Sequence, residues 1–306
     1  MEHSGCLELG NSVKTEKHNV AEEQERDSHI TGSVARYASF QSKFVEPRNL
    51  DIWFPPSYGE STGKRYPVLY MHDGQSLFEP GHTFTDEEWE VDEMMTKLIK
   101  ENRIREAIVV GIWNTEKRFR EYQPGKPFQN LPSGETRVRE HLHETYGGGA
   151  LGDEYLQFIV GELKPFVDDS FRTLPDKENT FMMGSSMGGI ISIYGIAEYP
   201  HVFGSVACLS THYPVILGDN LDVPPILIRY LKSHLPRAGG HRIYFDYGTE
   251  THDAWYEPHQ AQMDAVLAEL GYSRGADWVT RRFEGAEHAE SAWKQRLHIP
   301  LTFLLG

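Results

Sequence analysis

Cysteine is nearly absent from this chain. Cys6 stands in a polar stretch and Cys208 in the apolar run Val206-Ala207-Cys208-Leu209. A disulfide framework is therefore excluded as the source of stability, and Cys208 reads as a small buried hydrophobe. Long apolar runs are missing too. No stretch is long enough to span a bilayer, and the first residues lack the basic-then-apolar pattern of a secretory leader. A cytoplasmic protein with no membrane partner is the expectation. Basic residues are in deficit, 30 against 45 acidic, for a formal net charge of −15. Phosphate backbones are held by clustered Lys and Arg, so nucleic acid is not an expected partner. His141 and His143 stand two apart without carboxylates at ligand spacing, so no metal site is expected.

What is present is an ordinary globular mixture, 25% charged and 39% apolar over 306 residues. That length suits one large α/β domain plus a tail. Residues 1–30 are polar, Glu-rich and aperiodic, and read as a disordered tail, with the domain over 31–306. Strands are predicted over 34–44, 49–54, 66–71, 107–113, 180–183, 205–209, 242–247 and 278–283. Helices are predicted over 88–99, 153–167, 254–270 and 291–304, with another after residue 186. Thr85 and Glu88 fit a capping box for the first of them, and Pro165 should kink or end the second. Residues 114–149 and 211–240 read as loops. Strands alternating with helices at this spacing indicate a mostly parallel sheet covered on both faces.

The most informative segment is Phe181-Met182-Met183-Gly184-Ser185-Ser186-Met187-Gly188-Gly189-Ile190. It reads as a buried strand, a G-x-S-x-G turn and a helix start. That setting puts the Ser186 hydroxyl on a sharp turn above a sheet edge, as a nucleophile requires. A serine needs a histidine to take its proton and an acid to orient that histidine. His288, in Gly285-Ala286-Glu287-His288, follows the last strand; His298 lies inside the final helix. The acid should follow strand 242–247, where the turn offers Glu250 and Asp253. Asp253 is favoured, although it would also serve as an N-cap, and Asp246 lies inside the strand. Oxyanion donors are expected from the Met187 N–H, at a helix N-terminus, and from Gly74 or Gln75 after strand 66–71.

Substrate contacts are expected from two further places. Arg118, Arg120, Tyr122, Arg137, Arg139, His141 and His143 cluster in the long loop, with Arg120 the candidate. Ser210-Thr211-His212-Tyr213 follows a strand at the carboxyl edge of the sheet, where ligands bind in open α/β folds, and Tyr213 or His212 is the candidate there.

The residues Leu69-Tyr70-Met71-His72-Asp73-Gly74-Gln75-Ser76-Leu77-Phe78, Gly184-Ser185-Ser186-Met187-Gly188-Gly189, Gly248-Thr249-Glu250 and Glu287-His288 resemble the putative-esterase family. That family includes esterase D, enterochelin esterases, and carbohydrate-linked acetyl and feruloyl esterases. The resemblance covers about residues 34–304. It implies an α/β-hydrolase fold and cofactor-free ester cleavage, with Ser186 as nucleophile and His288 as base. The chain departs from the pattern at the acid: three residues after the turn glycine, where relatives often carry aspartate, it has Thr251. The expected activity is a serine carboxylic-ester hydrolase acting through an acyl-enzyme on a small, carbohydrate-linked or siderophore-linked ester. Acyl transfer by the same groups, or a catalytically silent binding module, are the alternatives.

Overall fold

Alternate residues of the buried strands face opposite sides of one sheet, and each side needs its own layer of helices. The computed structural model describes residues 30–81, 87–216, 218 and 220–306. Its sheet has eight strands: β1 (Ser33–Phe40), β2 (Arg48–Phe54), β3 (Val68–His72), β4 (Ile108–Ile112), β5 (Thr180–Ser185), β6 (Ser205–Leu209), β7 (Arg242–Tyr247) and β8 (Trp278–Arg282). Their order is β1-β2-β4-β3-β5-β6-β7-β8. The β1–β2 and β2–β4 pairs are antiparallel and the remaining pairs parallel. This is the α/β-hydrolase fold.

The helices are α1 (Val91–Lys100), α2 (Arg118–Glu121), α3 (Thr136–Tyr146), α4 (Gly152–Phe158), α5 (Lys164–Ser170), α6 (Met187–Glu198), α7 (Val223–His234), α8 (Glu257–Glu269), α9 (Glu290–Arg296) and α10 (His298–Leu305). Leu69, Met71, Phe181, Met183, Ala207, Leu209 and Tyr244 bury one face of the sheet against α1, α9 and α10. Val68, Tyr70, Met182, Val206, Cys208, Ile243 and Phe245 bury the other face in the larger core, with residues of α4, α6, α7 and α8. The period of two within each strand is what a doubly covered sheet demands.

Several expectations are corrected. Loop 114–149 contains α3, whose inward face is little more than Val138 and Leu142. Two apolar residues in a charged helix leave a faint periodicity. Loop 211–240 contains α7, with Val223, Ile226, Leu227 and Leu231 buried at helical spacing. Its Pro224 and Pro225 lie in the first turn, where a missing N–H costs nothing. Pro165 does not end its helix. The turn Ile159–Leu163 widens to π-helical spacing just before it, and the helix continues to Ser170. The wider turn accommodates a residue that cannot donate. The final helix divides at Leu297 into α9 and α10. Helix α1 starts at Val91, later than expected, and the capping residue Thr85 lies outside the described residues, as do Cys6 and the tail up to residue 29.

The order places β3 at a switch point: β4 lies on one side of it and β5 on the other. Ligand crevices of open α/β sheets form at such points, beyond the carboxyl ends of the strands. Here those ends are His72 of β3 and Ser185 of β5.

Candidate active site

Ser186 is held between β5 and α6 with φ 57° and ψ −120°. An L-residue occupies that region at a cost of about 1–3 kcal/mol, and only where the surroundings enforce it. The enforcement is visible. The Ser186 N–H donates to Leu209 O at 2.9 Å, and its carbonyl accepts from the N–H groups of Gly189, Ile190 and His212. A Cβ on Gly184 would lie 2.9 Å from the Gly188 backbone and from His72, so strand and helix close on each other only because residue 184 has no side chain.

His288 reaches this hydroxyl from the loop between β8 and α9. Its Nε2 lies 2.9 Å from Ser186 Oγ, and its Nδ1 lies 2.6 Å from Asp253 Oδ1. The loop is fixed by the His288 N–H donating to Thr251 Oγ1 at 2.8 Å. Trp293 packs edge-on against the imidazole, with ring centroids 5.1 Å apart. With the proton on Nδ1 toward the carboxylate, Nε2 is the atom able to accept from the serine.

Asp253 comes from the turn Thr251–Trp255 that follows β7. Its Oδ2 accepts from the Gly248 N–H at 2.5 Å and the Ser210 hydroxyl at 2.6 Å. Burial pushes this carboxyl up, but the hydrogen bonds from His288, Ser210 and Gly248 outweigh it and hold the group below the usual carboxylate range. Asp253 therefore does not cap a helix, since both its oxygens are engaged. Glu250 is exposed at the start of the turn. Asp246 is buried behind the site and paired with Arg296 at 3.0 Å.

Around the serine lies a cavity of about 640 Å³ whose walls include Trp89, Arg118, Phe119, His212, His252 and Trp293. Met187 opens α6, so its N–H has no partner within the helix. Gly74 and Gln75 form the short turn after β3. Gly74 packs so tightly that a Cβ would fall 2.5 Å from the Gly111 carbonyl carbon, whereas Gln75 faces the cavity. Asp73 precedes them in a left-handed conformation, φ 55°. It is gripped by Arg118 through two bonds of 2.7 Å and by Asn114 at 2.6 Å. A separate cavity of about 400 Å³ beside α3 is lined by Phe128, Arg139 and His143 and contains none of the three residues in the serine relay.

Two expected substrate contacts fall elsewhere. Arg120 turns away from the cavity and donates to Gly149 O at 2.8 Å; Arg118, two residues earlier, is the arginine in the cleft. Along α2 a shift of two residues is more than half a turn, which puts the two guanidiniums on different faces. Tyr213 is fully buried and donates to Gln260 Oε1 at 2.8 Å; of the two candidates after β6 it is His212 that lines the cavity. His212 Nε2 faces Ile216 O at 2.8 Å and its Nδ1 faces Tyr256 OH at 2.5 Å. Burial, with His288, His252 and Arg118 adding to it, pushes His212 down to about 4 despite the bond to Ile216. It is therefore neutral at pH 7. Sequence reasoning missed Ser210, His252 and Trp89 as wall or support residues. Only Ser210 carried a signal, its place at the end of a strand.

A sequence alignment relates the chain to the Bacillus subtilis protein YbbA, 28% identical over 184 residues, 60% of this chain and 62% of that protein. The aligned part thus spans less than two thirds of that curated relative. Among solved structures, the enterobactin esterase of Shigella flexneri superposes with a TM-score of 0.65 at 18% identity, covering 90% of this chain and 59% of that one. A ferulic acid esterase of the anaerobic fungus Anaeromyces mucronatus gives 0.61 at 18% identity, covering 92% of each. At such identities the superpositions establish the fold alone. The sequence pattern described as putative esterase matches residues 42–303, a span holding every residue of the serine relay, and the chain belongs to that family, whose membership supports a hydrolase acting on esters.

Proposed function

We propose that this protein is a serine carboxylic-ester hydrolase working through an acyl-enzyme. The observation that carries the reading is the continuous relay from Ser186 Oγ to His288 Nε2 at 2.9 Å and from His288 Nδ1 to Asp253 Oδ1 at 2.6 Å. Ser186 Oγ bonds to the ester carbonyl carbon while its proton passes to Nε2. The imidazolium so formed is stabilised by Asp253. We assign the Met187 and Gln75 N–H groups to the developing oxyanion. Collapse breaks the bond to the alkoxy oxygen, which leaves with the proton from Nε2. Water oxygen then bonds to the acyl carbon while its proton passes to Nε2; collapse breaks the bond to Ser186 Oγ, which takes that proton back, and the acid leaves.

The aromatic wall of Trp89, Phe119 and Trp293 offers apolar area to an acyl or alcohol group, and the named neighbours act on ferulic acid esters and enterobactin. A small ester, attached to a carbohydrate or a siderophore, is the substrate class this supports.

The test is Ser186→Ala. Hydrolysis of a short p-nitrophenyl ester should fall by about 10⁴-fold or more, with the melting temperature nearly unchanged because alanine keeps the Cβ and the elbow. A fluorophosphonate should label the wild type and not the variant. Undiminished turnover in the variant would remove the mechanism.

A further inference from the structure

Behind Asp253 lies a group of buried side chains that the relay itself does not include. Ser210 directly follows β6 with φ 42° and is fully buried. Its Oγ has three partners: Trp293 Nε1 at 2.9 Å, Arg296 Nη2 at 2.9 Å and Asp253 Oδ2 at 2.6 Å. An indole N–H and a guanidinium can only donate. The hydroxyl therefore accepts from both, and its single proton is left for Asp253. Its polarity is fixed by elimination, with two donors inward and one bond outward.

Arg296 Nη2 also donates to Asp246 Oδ1 at 3.0 Å and stays 3.9 Å from Asp253 Oδ2. Both hydrogens of that nitrogen are thus assigned, one to Ser210 and one to Asp246. A single buried cation serves two buried carboxylates, Asp246 directly and Asp253 through the hydroxyl. The indirect arrangement has a reason. A bidentate guanidinium grip would draw the carboxylate toward itself and away from the imidazole. A hydroxyl polarised by the cation donates more strongly than a free one, while Oδ1 remains turned to His288.

We propose that Ser210 and Arg296 are positioning residues for ester cleavage. They keep Asp253 ionised and oriented, so that the shared proton remains on His288 Nδ1 when the imidazolium forms. The proposal rests on the reading of Ser186, His288 and Asp253 given above.

The test compares Ser210→Ala and Ser210→Gly with wild type, and Arg296→Lys with Arg296→Met. Glycine is useful because φ 42° is a conformation it adopts without strain, so the hydroxyl is lost with no added backbone cost. Both Ser210 variants should lose about 10- to 100-fold in kcat, consistent with an orienting role, with KM close to wild type. Losing one donor raises the Asp253 carboxyl, so the acid limb of the kcat/KM profile should move to higher pH. The downfield proton resonance of the His288 Nδ1–H should shift in both variants. Arg296→Lys should recover part of what Arg296→Met loses.

An unmoved acid limb and an unmoved Nδ1–H resonance in both Ser210 variants would overturn the proposal, even if stability fell, since that is the pattern of a packing residue. Wild-type protein that neither turns over esters nor reacts with a fluorophosphonate would sink the hydrolase reading instead. The Nδ1–H resonance would still report whether Ser210 acts on Asp253.

Discussion

The Gly248 N–H and Asp253 Oδ2 lie 2.5 Å apart across the turn after β7, and this bond is possible only because residue 248 has no side chain. A Cβ there would fall 2.1 Å from Ala286 O and 3.1 Å from Asp253 Oδ2. The same carbonyl accepts from the N–H groups of Thr249 and Glu250, which ties the acid's turn to the histidine's loop. Gly248→Ala should push the two loops apart. We expect kcat/KM to fall by about 100-fold or more, on the scale of a misplaced catalytic group, with a lower melting temperature. Wild-type activity in that variant would show that the stitching of the loops is dispensable.

Asp253 and Glu250 stand three residues apart, yet one meets the imidazole and the other meets solvent. Asp253→Asn should reduce kcat by about 10³- to 10⁴-fold, because an amide no longer holds the imidazole in the productive tautomer. Glu250→Gln should stay within about twofold, as an exposed substitution away from such features does. A reversed ranking in steady-state assays would reassign the acid.

The strands and the elbow were legible because their signals are local. Apolar runs without helical period mark buried strands, and G-x-S-x-G between strand and helix marks the turn. Asp253 was legible as one of two choices, but the sequence could not show that the turn would place residue 253 inward. Arg120 was misplaced, and Tyr213 was not separable from His212, for a common reason. Each lies beside the residue that does line the cleft, Arg118 or His212, and one or two residues of offset change which face a side chain takes. Ser210, Trp293 and Arg296 meet across 86 residues of separation, and no local pattern encodes such a meeting. Helix α7 was hidden by prolines that the first turn of a helix tolerates.

The contrast between Arg118 and Arg120 yields a direct comparison. Arg118 holds Asp73, whose left-handed backbone starts the turn bearing Gln75. Burial works to raise the Asp73 carboxyl, but the guanidinium beside it and Asn114 hold it below the usual range. Arg118→Leu would leave that carboxylate without its main partner and loosen the turn. It should lower the melting temperature and reduce kcat/KM by about 10-fold or more, the scale of a lost charged hydrogen bond. Arg120→Leu should leave kcat/KM within about twofold. Equal effects from the two variants, measured on the same ester, would argue that the Arg118 grip on Asp73 has no special part in supporting the site.

Two buried histidines should make the fold sensitive to mild acid. Burial pushes His72 down to about 3 and His212 down to about 4, whereas a histidine in the unfolded chain titrates near 6.5. Between those values the unfolded chain binds protons that the folded chain refuses, so unfolding becomes easier as pH falls from about 6.5 toward 4. Asp92 acts in the opposite sense. Burial, with Glu93 beside it, raises Asp92 to about 8, so it contributes stability that is lost as pH rises toward 8. A single-site comparison separates them. His72 Nδ1 lies 2.9 Å from Tyr155 OH, while its Nε2 is buried and has no hydrogen-bond partner among the described residues. His72→Asn can keep the first contact and removes the titration. The variant should be less stable than wild type at pH 7, because the ring leaves space, and the gap should narrow by about 2–4 kcal/mol as pH falls to 4. Chemical denaturation at pH 7, 6, 5 and 4 measures it. Parallel curves for the two proteins would mean that His72 is protonated in the fold and that burial does not control its charge.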